Sequence, residues 1–136
     1  MLELAVGFSI LWIMFIGVYH AGYAFYVYNV LMMSVTNAAE LGSNLDYDTS
    51  SPAAYTTALK NMVVYGDETA GTTALVPNLT TSNVNVNLSL DAAGMPRDVT
   101  VTITGYSINA LFTSYSLSNK PRATTLYFGK ISCSSC

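Results

Sequence analysis

The uncharged stretch LAVGFSILWIMFIGVYHAGYAFYVYNVLMMSVTNAA, residues 4–39, decides the fold. It contains no Asp, Glu, Lys or Arg, and its only histidine is His20. A helix that crosses a bilayer needs ~20 predominantly apolar residues, so this stretch is long enough to span lipid and to continue beyond it. We therefore predict a hydrophobic helix domain at residues 1–44, anchored in a membrane, and a head domain at residues 45–136.

Aromatic residues recur along this stretch at steps of three and four, which keeps them on one side of a helix. Glycines at positions 7, 17 and 22 would weaken an isolated helix in water by ~1 kcal/mol each, but they allow neighbouring helices to approach closely. The pattern predicts packing against other helices, and the alternative is a row of stacked rings that carries electrons along a fibre. The residues predicted to pack in this helix core are Gly7, Phe8, Trp12, Phe15, Tyr19, Tyr23 and Tyr26.

Both ends of the predicted helix carry information. No basic residue precedes the apolar stretch. Either the chain is an anchor with unusual flanks, or a basic leader has been removed and Met1 is a processed end. At the other end, Gly42 in the segment ELGSN is the expected left-handed terminator of the helix.

The rest of the chain predicts an α+β head. Residues 52–63 form a short amphipathic helix that begins with Pro52. Residues 83–90 and 97–106 alternate polar and apolar side chains, as half-buried strands do, and residues 123–131 form a third strand after the break at 119–121. We expect an antiparallel sheet of three to four strands whose apolar face covers a helix: Val84, Val86, Leu88, Val99, Val101 and Ile103.

The charges of the head exclude several classes of function. Its six acidic and five basic residues nearly cancel, so no basic patch for nucleic acid is predicted. The single histidine lies in the apolar stretch, so no Ser–His or Cys–His pair can form in the head. We predict no enzymatic activity, no metal and no cofactor, because loops and turns account for the acidic pairs at 46/48 and 67/68.

The two cysteines form the motif SCSSC, with Cys133 and Cys136. A C-x-x-C pair can be a redox couple, half of a zinc site or a local disulfide. Zinc would need two more ligands, and the only histidine, His20, lies far away in the apolar stretch. A redox motif usually opens a helix beside a strand, whereas this motif lies in a tail. We therefore expect a small structural disulfide, which would place the head in an oxidising space.

Four segments occur in an order and spacing that are specific when taken together. They are residues 2–42; ALKNMVVYG with LVPNLT, at 58–66 and 75–80; RDVTVTITGYSINALF, at 97–112; and ATTLYFGKI, at 123–131. In this order they resemble the TadE-like pseudopilins, from the tight-adherence branch of type IV pilins. The resemblance implies a type IV pilin-like fold. It also implies processing by a prepilin peptidase, insertion into the inner membrane, and transfer into an extracellular pilus by an assembly ATPase and its platform.

The chain departs from the family pattern at two places. Pilins usually place a glutamate at the fifth mature position, whereas here the glutamate is Glu3. The glutamate and arginine that the family keeps in the middle of the helix align with His20 and Tyr23. Because a buried charge without a partner is costly, the loss of both charges favours burial among many like helices.

Glu3 and Met1 are the predicted assembly residues. In an apolar surround, the amino terminus of an adjacent subunit would neutralise the Glu3 carboxylate and favour one axial register. The alternative is a polar residue at an exposed helix start, favoured by the helix dipole. The sequence thus predicts a homo-oligomeric pilin that forms a bacterial surface filament for attachment, and the alternative is a membrane-anchored minor pseudopilin or adhesin that primes or caps the pilus.

Overall fold

The computed structural model describes residues 2–110 and 113–129 and shows an α+β chain. The long apolar helix, the short helix and the antiparallel pairing of strands that the sequence predicts are confirmed. The elements are α1 Leu2–Asn44, α2 Pro52–Tyr65, β1 Val84–Leu90, β2 Pro96–Ile103, β3 Tyr106–Asn109, β4 Ser114–Leu117 and β5 Arg122–Leu126.

Helix α1 has 43 residues and measures ~65 Å at ~1.5 Å per residue. Its back half, residues 23–44, packs against the head, and most of its front half, residues 2–22, extends beyond the head. In the back half the buried positions follow helical spacing, so one stripe faces the sheet: Val27, Leu31, Ser34, Val35, Ala38 and Ala39. The second half of the long helix is therefore part of the core of the head.

The expected role of Gly42 is wrong. Gly42 lies inside α1, which continues to Asn44, and it is not among the residues with positive φ. A Cβ atom at this position would lie 3.0 Å from Val99 Cγ1, 3.1 Å from Tyr55 Oη and 3.2 Å from Leu59 Cδ1. Gly42 thus lies where α1, α2 and β2 pack so closely that a side chain would have to displace its neighbours by a few tenths of an ångström.

Helix α2 packs across the end of α1. Pro52 occupies its first turn, and Gly66 ends it in the left-handed conformation at φ +78, with its N–H donating to Met62 O at 3.0 Å. The buried Tyr55 hydroxyl donates a hydrogen bond to Gly42 O. Burial, more than the nearby phenols of Tyr127 and Tyr47, raises the pKa of the Tyr55 phenol well above its ordinary value. The hydroxyl therefore stays protonated and able to donate.

The main sheet has three antiparallel strands in the order β1–β2–β5. Val84 pairs with Ile103 and Leu88 with Val99, which places the apolar residues of β1 and β2 on one face. The predicted apolar face is confirmed: the β2 residues Val99, Val101 and Ile103 and the β1 residue Val84 are buried, and the other two are half-buried. This face covers the buried stripe of α1.

The strands of the head do not all belong to one sheet. The strand expected at 97–106 ends at Ile103, because the chain bends at Thr104 and Gly105, where φ is +65. The chain then forms a separate two-stranded sheet, β3 and β4, in which Tyr106 pairs with Leu117 and Asn109 with Ser114. Strand β5 ends at Leu126. The predicted sheet is therefore accompanied by a hairpin that sequence periodicity did not reveal.

The Gly42→Val substitution tests the close approach of α1, α2 and β2. Overpacking a dense core costs ~1–3 kcal/mol, so we expect this variant to lower the melting temperature of the head in detergent, followed by circular dichroism. The matched control is Gly17→Val, since nothing lies within 4 Å of a Cβ at Gly17. Equal melting temperatures for the two variants would contradict the assigned role of Gly42.

Candidate functional site

The front half of α1 exposes apolar side chains in every direction. The six residues from Ile10 to Phe15 are all exposed, and at 3.6 residues per turn they cover the whole circumference of the helix. No charged side chain follows Glu3 until Glu40. Such a surface is unsuited to water and needs either lipid or other apolar helices around it. The large exposed residues of this half are Leu4, Val6, Phe8, Ile10, Leu11, Trp12, Ile13, Met14, Phe15, Val18 and Tyr19.

The structure places the six aromatic residues of the predicted stripe along one flank of α1. Tyr23 is half-buried against the head, and the other five are exposed. The rings of Phe8 and Trp12 stack, with centroids 6.2 Å apart and planes inclined by 19°. The stripe therefore reaches the head only at its Tyr23 end and leaves five of its rings exposed.

Three glycines interrupt the apolar surface of the front half. Nothing lies within 4 Å of a Cβ built on Gly7, Gly17 or Gly22. Small residues at such positions let two helix backbones approach closely in a membrane. Among the described residues 2–110 and 113–129, no neighbour calls for glycine at these three positions, in contrast to Gly42.

The predicted assembly residue Glu3 lies exposed in the first turn of α1, where the helix dipole favours a carboxylate. It is far from the head and from its charged residues. Met1, Cys133 and Cys136 lie outside the described residues, so the pairing of the two cysteines and the neutralisation of Glu3 by an amino terminus stay predictions.

The hairpin β3–β4 forms a surface that the sequence analysis missed. It lies beside the middle of α1, and a groove of about 390 Å³ runs between the two elements. The helix side of this groove carries Ala21, Ala24, Phe25 and Tyr28, and the hairpin side carries Ile108, Tyr115 and Leu117. The segments YSIN and SYSL alternate polar and apolar side chains, but each strand has only four residues, too few for the alternation to reveal the hairpin.

A second groove lies on the other side of the hairpin. It has a volume of about 280 Å³ and is lined by Tyr19, His20 and Tyr23 of α1 and by Asn109 and Ala110 after β3. His20 is half-buried there. The hairpin therefore approaches α1 near His20 and Tyr23, at the level where the front and back halves of the helix meet.

Tyr106, the first residue of β3, fixes the base of the hairpin. Its hydroxyl donates to Pro77 O at 2.9 Å. Burial, and secondarily the Tyr23 phenol, raises the pKa of the Tyr106 phenol above its ordinary value. The phenol is therefore protonated at neutral pH and keeps this bond.

One member of each acidic pair of the head, Asp48 or Asp67, accepts hydrogen bonds within its own loop. Asp48 accepts hydrogen bonds from Ser50 N and Oγ at 2.8 and 2.5 Å, and Asp67 accepts them from Thr69 N and Oγ1 at 2.8 and 2.7 Å. These bonds lower the pKa of both carboxyl groups. Among residues 2–110 and 113–129, no group of three or more His, Cys, Asp or Glu is placed to hold a metal ion.

By length and composition, the segment Val6–Asn44 of α1 could cross a membrane, and only 11% of its most apolar window is buried in the fold. The low burial separates it from the core helix of a water-soluble protein. No family model, curated protein or solved structure matches this chain. Functional inference therefore depends on this geometry and on the sequence resemblance.

The Ile13→Arg/Met14→Arg double substitution tests whether the front half sits in lipid. Each arginine near the middle of a span costs ~2.5–3.5 kcal/mol, so we expect the chain to be lost from membranes washed with alkaline carbonate. The matched control is Leu126→Arg/Phe128→Arg on the head, since Phe128 is 67% exposed and Ile13 70%. Retention of both double variants in the membrane pellet would rule out the anchoring role.

Proposed function

We propose that this chain is a structural subunit of a type IV pilus-like filament of the tight-adherence type, which polymerises through α1 and serves in surface attachment. The chain would be held in the inner membrane by its front half and would then leave the membrane to join the filament. The resemblance to TadE-like pseudopilins supports this proposal, and so does the layout of one long apolar helix beside a small α+β head.

The observation that carries the proposal is the length of the exposed apolar surface. This surface does not end where the head begins, because Phe25, Tyr26 and Met33 are exposed on the back half of α1. From Leu4 to Met33 the surface extends over ~44 Å at ~1.5 Å per residue, whereas the hydrocarbon core of a bilayer is ~30 Å thick. Lipid alone would leave about a third of this surface uncovered, and copies of the same helix would cover all of it.

The glycines of the front half favour the same arrangement. A solitary lipid anchor gains nothing from Gly7, Gly17 and Gly22, each of which disfavours the helix. In a bundle of copies each glycine admits a neighbouring helix at short distance. The energetic gain on leaving lipid is small because lipid is as apolar as the helices, so extraction would depend on an assembly ATPase.

The composition of surface fibres tests the role as the major subunit. We expect fibres sheared from cells to consist mainly of this chain, as measured by mass spectrometry, and to disappear when it is deleted. A trace amount in fibres that are otherwise normal would instead favour the minor pseudopilin or adhesin that primes or caps the pilus.

Glu3→Gln tests the proposed register contact with the amino terminus of an adjacent subunit. An ion pair worth about 1.4 kcal/mol changes an equilibrium about tenfold, so we expect about tenfold less chain in the sheared fraction. The amount in the inner membrane should be unchanged. Glu40→Gln is the control, because Glu40 is an exposed carboxylate at the other end of the same helix. Normal fibre yield from Glu3→Gln cells would contradict the assembly role of Glu3.

A further inference from the structure

We propose that the β3–β4 hairpin is a membrane-contacting foot of the head, seated in the outer headgroup layer of the bilayer before the subunit enters a filament. This inference rests on the membrane-bound stage of the proposed function. Its partner is a phospholipid bilayer surface, and its contact elements are the hairpin and the tyrosine-rich middle of α1.

The first observation is the distribution of charge. From Thr104 to Asn119 the sequence has no Asp, Glu, Lys or Arg, and this run includes the whole hairpin. The hairpin is therefore an uncharged extension of the head beside an uncharged helix. Charged residues resume at its base with Lys120 and Arg122, which are exposed. Ile103 N donates to Pro121 O there at 3.1 Å, which ties this basic segment to the end of β2.

The second observation is depth along α1. If the hydrocarbon layer, which is ~30 Å thick, begins near Leu4, it ends near Tyr23 at ~1.5 Å per residue. This is the level at which the hairpin meets the helix, since the grooves on its two sides involve His20 and Tyr23 or Ala24 and Phe25. The hairpin and the outer membrane surface thus fall at the same height.

The third observation is the side chains found at that height. Tyrosine is enriched where a protein crosses the membrane surface, because its ring is apolar and its hydroxyl prefers water. Tyr19, Tyr23, Tyr26 and Tyr28 of α1 lie within ~14 Å along the helix, and Tyr115 of the hairpin lines the same groove as Tyr28. The groove between them is apolar and suits the upper part of an acyl chain.

The sheet supplies an internal reference for depth. Strand β2 runs from Val99 beside Gly42, near the end of α1, back to the base of the hairpin. Because β1 is antiparallel to β2, Leu90 lies at the far end of the sheet, ~20 Å from Val84 at ~3.3 Å per residue. If the hairpin contacts lipid, Leu90 therefore lies away from the membrane.

Tryptophan quenching in nanodiscs that hold one full-length chain each tests the foot. In a Trp12→Phe background, Tyr115→Trp reports from the hairpin and Leu90→Trp from the far end of the sheet. The two positions are matched in exposure, at 47% and 52%. With phosphatidylcholine that carries a nitroxide on its headgroup, we expect at least about twofold loss of fluorescence from Tyr115→Trp and little loss from Leu90→Trp, because only the hairpin lies within the headgroup layer.

A second reporter protects the test against a folding defect. Ser114→Trp is placed at an exposed position of the same hairpin, and circular dichroism confirms the fold of each variant. Equal quenching at the hairpin and at Leu90, or no quenching at either, would overturn the proposal. Acrylamide quenching of the hairpin tryptophan is also compared between nanodiscs that hold one chain and nanodiscs that hold two. Protection that appears only with two chains would overturn the proposal, because a second copy of the chain would then cover the groove. Because no filament forms in this assay, its result is independent of the fibre and Glu3 experiments.

Discussion

The packing of the sheet on the back half of α1 is the interaction on which the rest of the molecule depends. The apolar face of β1 and β2 is buried on the helix stripe that contains Leu31 and Val35. A three-stranded sheet of this size needs such a cover to be stable. The head therefore cannot be separated cleanly from the helix at residue 44. The same helix is a core element over one half of its length and an exposed apolar surface over the other.

That division of one helix is the structural basis for the two environments proposed for the chain. Lipid can surround the front half, but the apolar surface continues to Met33, beside the head and beyond the reach of hydrocarbon. In the proposed filament, copies of the same helix would cover this excess, and before assembly a membrane surface in contact with the hairpin would cover part of it. The uncharged hairpin and the tyrosines of α1 would suit the membrane, and the open glycines would suit the filament.

Periodicity predicted the elements that extend over many residues. The uncharged stretch predicted α1, and strict alternation predicted β1, β2 and their apolar face, because long periodic patterns average out local exceptions. Gly42 was misinterpreted because a helix end and a close packing contact both call for glycine, and only tertiary contacts distinguish them. The break at Gly105 and the four-residue strands after it were missed because a strand of that length gives too few alternations to detect.

The candidate surface was predictable only in part. Exposure of the front half follows from the length of the predicted helix, because a head of this size could not cover a helix of ~65 Å. Which face of α1 meets the head could not be deduced, because apolar residues occur all round the helix. The structure shows that Tyr23 turns toward the head while Tyr19 and Tyr26 stay outside. The grooves beside the hairpin depend on that choice.

The attachment of β5 to α1 has a mechanical consequence. Strand β5 runs in the same direction as the back half of the helix, and Thr125 Oγ1 donates to Ala39 O at 2.8 Å. Further along, Phe128 N and Gly129 N donate to Ser43 O at 2.9 and 3.2 Å, and Tyr127 Oη donates to Leu45 O at 3.2 Å. A pulling force along the helix axis would load these bonds in shear, all at once, instead of opening them one after another. A fibre built from such subunits would resist stretching by flow without its heads peeling away from the central rod.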